Sequence, residues 1–143
     1  MTIKNIMSTN VETVTPDTLL NEVAKKMQQN DCGCIVVTKD DRLVGMITDR
    51  DLAIRCVAES HDVTSTTAED VMTKEILYCM ETDSADSVTK NMSENKVRRL
   101  PVLNAEKRLV GIISLGDLAS HSNHELCGQA LGDICRKSDS DES

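Results

Sequence analysis

Apolar positions fall into two kinds of run that alternate along the chain, and the whole alternation occurs twice. Leu19, Leu20, Val23, Ala24 and Met27 recur at a spacing that puts them on one face of a helix. Val11 to Val14, Cys34 to Val37 and Leu43 to Ile47 are short apolar runs that read as strands. The same order returns later: Ile76 to Met80, then Ala85, Val88 and Met92, then Leu100 to Leu103 and Leu109 to Ile113. Thr15-Pro16-Asp17 predicts the start of the first helix, with threonine as cap and proline at the first helical position. Polar turns at Thr38 to Arg42 and Leu103 to Arg108 join the later strands, and a second helix is expected to open at Thr48 and at Ser114. Each unit reads β-α-β-β-α. The fold class is therefore α/β, of the α+β type, built from two pseudo-symmetric repeats.

The repeat survives residue-by-residue comparison. Ile6-Met7-Ser8 returns as Val71-Met72-Thr73, and Val23, Met27, Asn30, Ile35 and Val37 return as Val88, Met92, Asn95, Leu100 and Val102, all at an offset of 65. One extra residue in the turn around Asn104 to Lys107 moves the offset to 66, at which Arg42 to Leu52 match Arg108 to Leu118. The expected division is a first repeat over 1–60, a polar linker over 61–69 and a second repeat over 70–122. A C-terminal helix over 123–137 and a disordered acidic tail over 138–143 follow.

Composition narrows the classes. Tyr78 is the single aromatic residue, so the core must be aliphatic, with seven methionines as adaptable filler. A formal charge of −8 opposes a nucleic-acid role, which calls for a basic surface and, for single strands, aromatic platforms. No apolar run approaches the roughly 20 residues of a membrane span, and the first residues lack a signal-type apolar stretch, so the expectation is cytoplasmic. In that compartment the six cysteines are expected reduced.

Candidate chemistry gathers where each strand meets its second helix. Gly45-Met46-Ile47-Thr48 leads to Asp51, and Gly111-Ile112-Ile113-Ser114 leads to Asp117. Taken alone, a hydroxyl residue followed three positions later by a carboxylate is a capping box. Its presence at the same place in both repeats admits a second use. Helix-start amides and the hydroxyl suit a phosphate, and an acceptor-only carboxylate suits a ribose diol.

The duplicated unit with this motif resembles the CBS domain, named for cystathionine β-synthase, and two in tandem look like a Bateman module. Ile6-Met7 and Val71-Met72 at the entry to each repeat, Val14-Thr15-Pro16, and Val97-Arg98-Arg99-Leu100-Pro101-Val102 carry the likeness further, over about residues 5 to 120. The resemblance implies a pseudo-twofold pair with clefts for adenosine ligands (AMP, ADP, ATP, NAD or S-adenosylmethionine) between the repeats, and a disc-shaped homodimer. By position, Asp51 and Asp117 would hold ribose hydroxyls and Thr48 and Ser114 would meet phosphate. Met46, Ile47, Ile112 and Ile113 would line the adenine slot or support it from behind. Arg98 and Arg99 would reach toward phosphate, with Pro101 in the strand that follows. The first repeat has Gly33-Cys34-Ile35-Val36 where the second has Arg98-Arg99-Leu100-Pro101, so one tight site or two unequal ones are expected.

Other motifs carry less. Cys32-Gly33-Cys34 places two thiols before a strand, and His121, His124 and Cys127 could share a helix face as metal ligands, with Cys135 two turns on. No catalytic nucleophile motif is present, and an enzyme is not expected. Three functions remain: a non-enzymatic sensor whose adenine nucleotide, bound as a regulatory ligand and not as a cofactor, alters contacts with an effector protein; a ligand-free interaction dimer; and a cysteine- and histidine-based metal or redox sensor.

Overall fold

The computed structural model describes residues 1–121 and 124–142, with side chains described through Arg136. Residues divide into two compact units: Val11–Ile76, and Leu77–Ser143 together with Met1–Asn10.

In the 11–76 unit, β1 (Thr13–Val14) runs parallel to β2 (Cys34–Lys39), which pairs antiparallel with β3 (Arg42–Thr48), and α1 (Leu20–Asn30) connects β1 to β2. Asp40 and Asp41 both take positive φ (55° and 64°), the geometry a two-residue hairpin needs. β3 passes into a short helix, α2 (Asp49–Asp51), continued by a π-helical stretch at Leu52–Val57. After it comes α3 (Ala68–Val71). Val14, Leu20, Val23, Ile35, Val37 and Ile47 form the core.

The other unit repeats the plan with β4 (Cys79–Met80), α4 (Ala85–Asn95), β5 (Arg99–Leu103), β6 (Leu109–Ser114) and α5 (Leu115–His121), in sheet order β4-β5-β6. The extra turn residue is visible. Lys107 takes φ 61°, and the Asn104 side chain accepts from the amides of Glu106 and Arg108, closing a three-residue loop where the first hairpin has two. Both β-bulges fall at equivalent places, Val37/Thr38 and Val102/Leu103.

The division differs from 1–60 and 70–122, because each repeat's lead segment packs on the other repeat's body. Ile3 and Lys4 donate to the carbonyls of Asp83 and Glu81, and Ser8 pairs with Ile112. Equivalently, Ala68 and Glu69 donate to Thr18 and Pro16, and Thr73 pairs with Met46. The segment read as a linker is thus bound into the 11–76 unit, where Asn21 and Leu20 donate to the carbonyls of Val63 and Thr66.

Those bonds also explain a helix that starts later than its sequence suggests. α1 begins at Leu20, and its first amides are satisfied by backbone carbonyls in place of a threonine cap. Thr15 instead closes a local turn, its hydroxyl donating to Asp17 and the Thr18 amide donating to its carbonyl. That hydroxyl is the main cause holding the Asp17 carboxyl below its ordinary range.

The last helix, α6 (His124–Glu142), continues beyond residue 137. It docks on α4 through buried Cys127 and Ala130, and through Asp133, whose carboxylate accepts from Ser93 and whose carbonyl accepts from the Lys96 ammonium. The tail expected to be disordered over 138–143 is helical in its backbone as far as Glu142, and Ser143 lies outside the described residues.

Among the described residues no cysteine is in a disulfide. Burial, and secondarily the Asp83 carboxylate, pushes the Cys79 thiol from 9.0 up to about 12. Its folded form therefore binds a proton that the unfolded form releases, so its stabilising contribution is complete below pH 9 and lost between about pH 9 and 12. At pH 8, a negatively charged disulfide reagent is expected to modify exposed Cys135 at once and to reach buried Cys56, Cys79 and Cys127 only on unfolding. Rapid native labelling of Cys79 would contradict this burial.

Candidate functional site

At each strand-to-helix corner the hydroxyl and carboxylate are first of all a cap. Thr48 Oγ1 accepts from the Asp51 amide at 3.1 Å while Asp51 Oδ2 accepts from the Thr48 amide at 2.9 Å. In the other unit both corresponding bonds, between Ser114 and Asp117, are 3.0 Å. The Leu115 amide donates to the carbonyl of Arg98 at 2.9 Å, as the Asp49 amide does to that of Gly33 at 3.0 Å. The helix-start amides expected to meet phosphate are therefore largely committed within the protein. Ser114 Oγ, having accepted one bond, keeps its own proton to donate outward.

The two corners differ in charge. Arg98 and Arg99 are exposed and share with Ser114 a groove of about 580 Å³, completed by Leu115, Gly116 and Ala119 of α5 and by His124, Cys127, Gly128 and Leu131 of α6. At the equivalent place in the 11–76 unit, glycine replaces Arg98 and Asp49 replaces Leu115. A Cβ built on Gly33 would stand 3.0 Å from Asp49 Oδ2. Asp51 is also drawn to Arg55, at 3.8 Å. The Ser114 corner suits an anion and the Thr48 corner presents a carboxylate.

The remaining expected residues sort by depth. Ile47 and Ile113 are wholly buried and belong to the cores, so they stand behind the strand surface. Met46 and Ile112 are half-buried, and their backbones pair with Thr73 and Ser8. Pro101 is buried in β5 opposite Ile112. Sequence reasoning missed the contribution of α6 to the groove. The signal was present in part, since a C-terminal helix is expected over 123–137, but nothing in the sequence gave its docking site. Of the possible metal ligands, His121 sits 3.1 Å from the Asp117 carbonyl and Cys127 is buried. Among the described residues no group of three or more His, Cys, Asp or Glu side chains is placed to hold a metal ion, and no helix is long and apolar enough to cross a membrane.

Comparison with known proteins gives a consistent result. The CBS domain family matches residues 3–57 and 68–124. A CBS domain-containing protein of Bacillus subtilis, YhcV, is 37% identical over 133 residues, covering 92% of this chain and 94% of its own. Hypoxic response protein 1 of Mycobacterium tuberculosis is 35% identical over 135 residues, covering 94% of each. A crystal structure of Hypoxic Response Protein I with two coordinated zinc ions superposes with a TM-score of 0.78, over 86% of this chain and 100% of that one. The CBS domain pair of MJ0100, solved with 5′-methylthioadenosine and S-adenosyl-L-methionine, is 26% identical with a TM-score of 0.73, over 84% and 94%.

Proposed function

Since the chain belongs to the CBS-domain family, as a tandem pair spanning nearly its whole length, we propose that it is a regulatory module that works by binding an adenosine-containing ligand and not by catalysis. The observation that carries this reading is the convergence of Arg98, Arg99 and the Ser114 hydroxyl on one groove. Two guanidinium groups and a hydroxyl donor are chemistry for a phosphate, and Leu115, Ala119 and Leu131, which line the same groove, are an apolar surface for a base. A relative whose CBS pair was solved with two adenosine compounds supports the ligand class. Because Gly33 and Asp49 stand where the other corner has Arg98 and Leu115, the proposed phosphate-bearing ligand prefers the Ser114 corner. Binding would favour one shape of the module over others and so change its contacts with a partner protein.

A thermal-shift series with AMP, ADP, ATP, NAD, S-adenosylmethionine and adenosine tests the proposal. A ligand at about one hundred times its dissociation constant adds about 2.7 kcal/mol to the native state. A selective rise with a phosphate-bearing compound is expected. No rise with any compound would overturn the reading and favour an interaction module that needs no ligand.

A further inference from the structure

The motif that opens each repeat, Ile6-Met7-Ser8 and Val71-Met72-Thr73, is used by neither the corner chemistry nor the groove. Its methionines occupy matching positions. A Cβ built on Gly111 would lie 2.6 Å from Met7 Sδ and 3.0 Å from its Cγ. At Gly45 the nearest atom to such a Cβ is Met72 Sδ, with Met72 Cγ at 2.8 Å. Each thioether thus fills the space its glycine leaves open, beside the backbone pairs Ser8–Ile112 and Met46–Thr73 that fasten the lead segments to β6 and β3. Both methionines are half-buried, within reach of a small oxidant, whereas Met92 is wholly buried.

We propose that Met7 and Met72 are paired, reversible oxidation sites that release the lead segments from β6 and β3. The sulfur lone pair attacks a peroxide oxygen, the O–O bond breaks, an S–O bond forms, and water leaves when the oxidant is hydrogen peroxide. The thioether is oxidised by two electrons and the peroxide is reduced. The product is larger and polar, and reducible by methionine sulfoxide reductases. Beside Gly111 the Ser8 carbonyl, 2.9 Å from the built Cβ, already accepts from the Ile112 amide and is an acceptor that offers the new oxygen no bond. A slot shaped by glycine has no room for both, so the side chain leaves and the adjacent backbone pairs loosen.

The full chain treated with hydrogen peroxide until Met1, 70% exposed, is fully converted provides the test. Peptide mass spectrometry is expected to show sulfoxide at Met7 and Met72 and none at Met92. Amide exchange at Ser8, Met46, Thr73 and Ile112 is expected to rise at least tenfold and to return after reductase treatment. The M7L/M72L double variant, which keeps the other methionines, is expected to show no rise. Should it fail to fold, M7L alone confines the rise to Met46 and Thr73. Unchanged exchange after conversion, resistance of Met7 and Met72 to peroxide, or an equal rise in the leucine variants would each overturn the proposal.

Discussion

Replacing Ile3 by alanine is expected to destabilise the unit containing residues 77–143 by about 2–5 kcal/mol, the range for emptying an enclosed aliphatic site. Ile3 is 0% exposed and packs in one cluster with Val88, Leu100, Ile113 and Leu118. Its amide is held by the Asp83 carbonyl at 3.0 Å. Ile54→Ala supplies the contrast. That side chain is 48% exposed, and its loss should stay within about 0.5 kcal/mol. Urea unfolding followed by circular dichroism measures both variants. Equal midpoints would show that the lead segment is not part of the core.

The second large effect concerns binding. Removing both arginines, Arg98→Ala with Arg99→Ala, is expected to weaken AMP at least tenfold and to leave adenosine nearly unchanged. A hydrogen bond to a charged group contributes about 1.5–3 kcal/mol, and about 1.4 kcal/mol is a factor of ten. Both side chains are exposed, so the folded state should lose little. Calorimetric titration with the two ligands separates the outcomes. An equal loss for AMP and adenosine would mean that the arginines shape the protein and do not meet phosphate.

Much of this architecture is legible in the sequence because its signals are local. Strand and helix periods, the 65-residue register and the one-residue slip at Asn104 to Lys107 depend on neighbours in the chain, and each appears in the structure. The capping boxes at Thr48 and Ser114 are local too. What escaped were effects of distant segments. The crossed lead segments keep the repeat's spacing, so the register looks the same whether a lead packs on its own repeat or on the other. The late start of α1 follows from that crossing, since the carbonyls of Thr66 and Val63 satisfy the amides of Leu20 and Asn21 in place of a side-chain cap. The groove depends on where α6 docks, and the bonds of Asp133 with Ser93 and Lys96 that accompany its buried Cys127 and Ala130 are single polar contacts that no periodicity reveals.

The crossed lead segments also set an order of events during synthesis. The 11–76 unit has every residue it needs as soon as Ile76 leaves the ribosome. Residues 1–10 are made before that unit, yet the pairing of Ser8 with Ile112 of β6 must wait about one hundred residues, on the order of 5–20 s at ordinary elongation rates. Through that interval Ile3 and Ile6 have no core to enter, although one complete unit already stands next to them in the chain. A segment made before the 11–76 unit thus completes its packing after it.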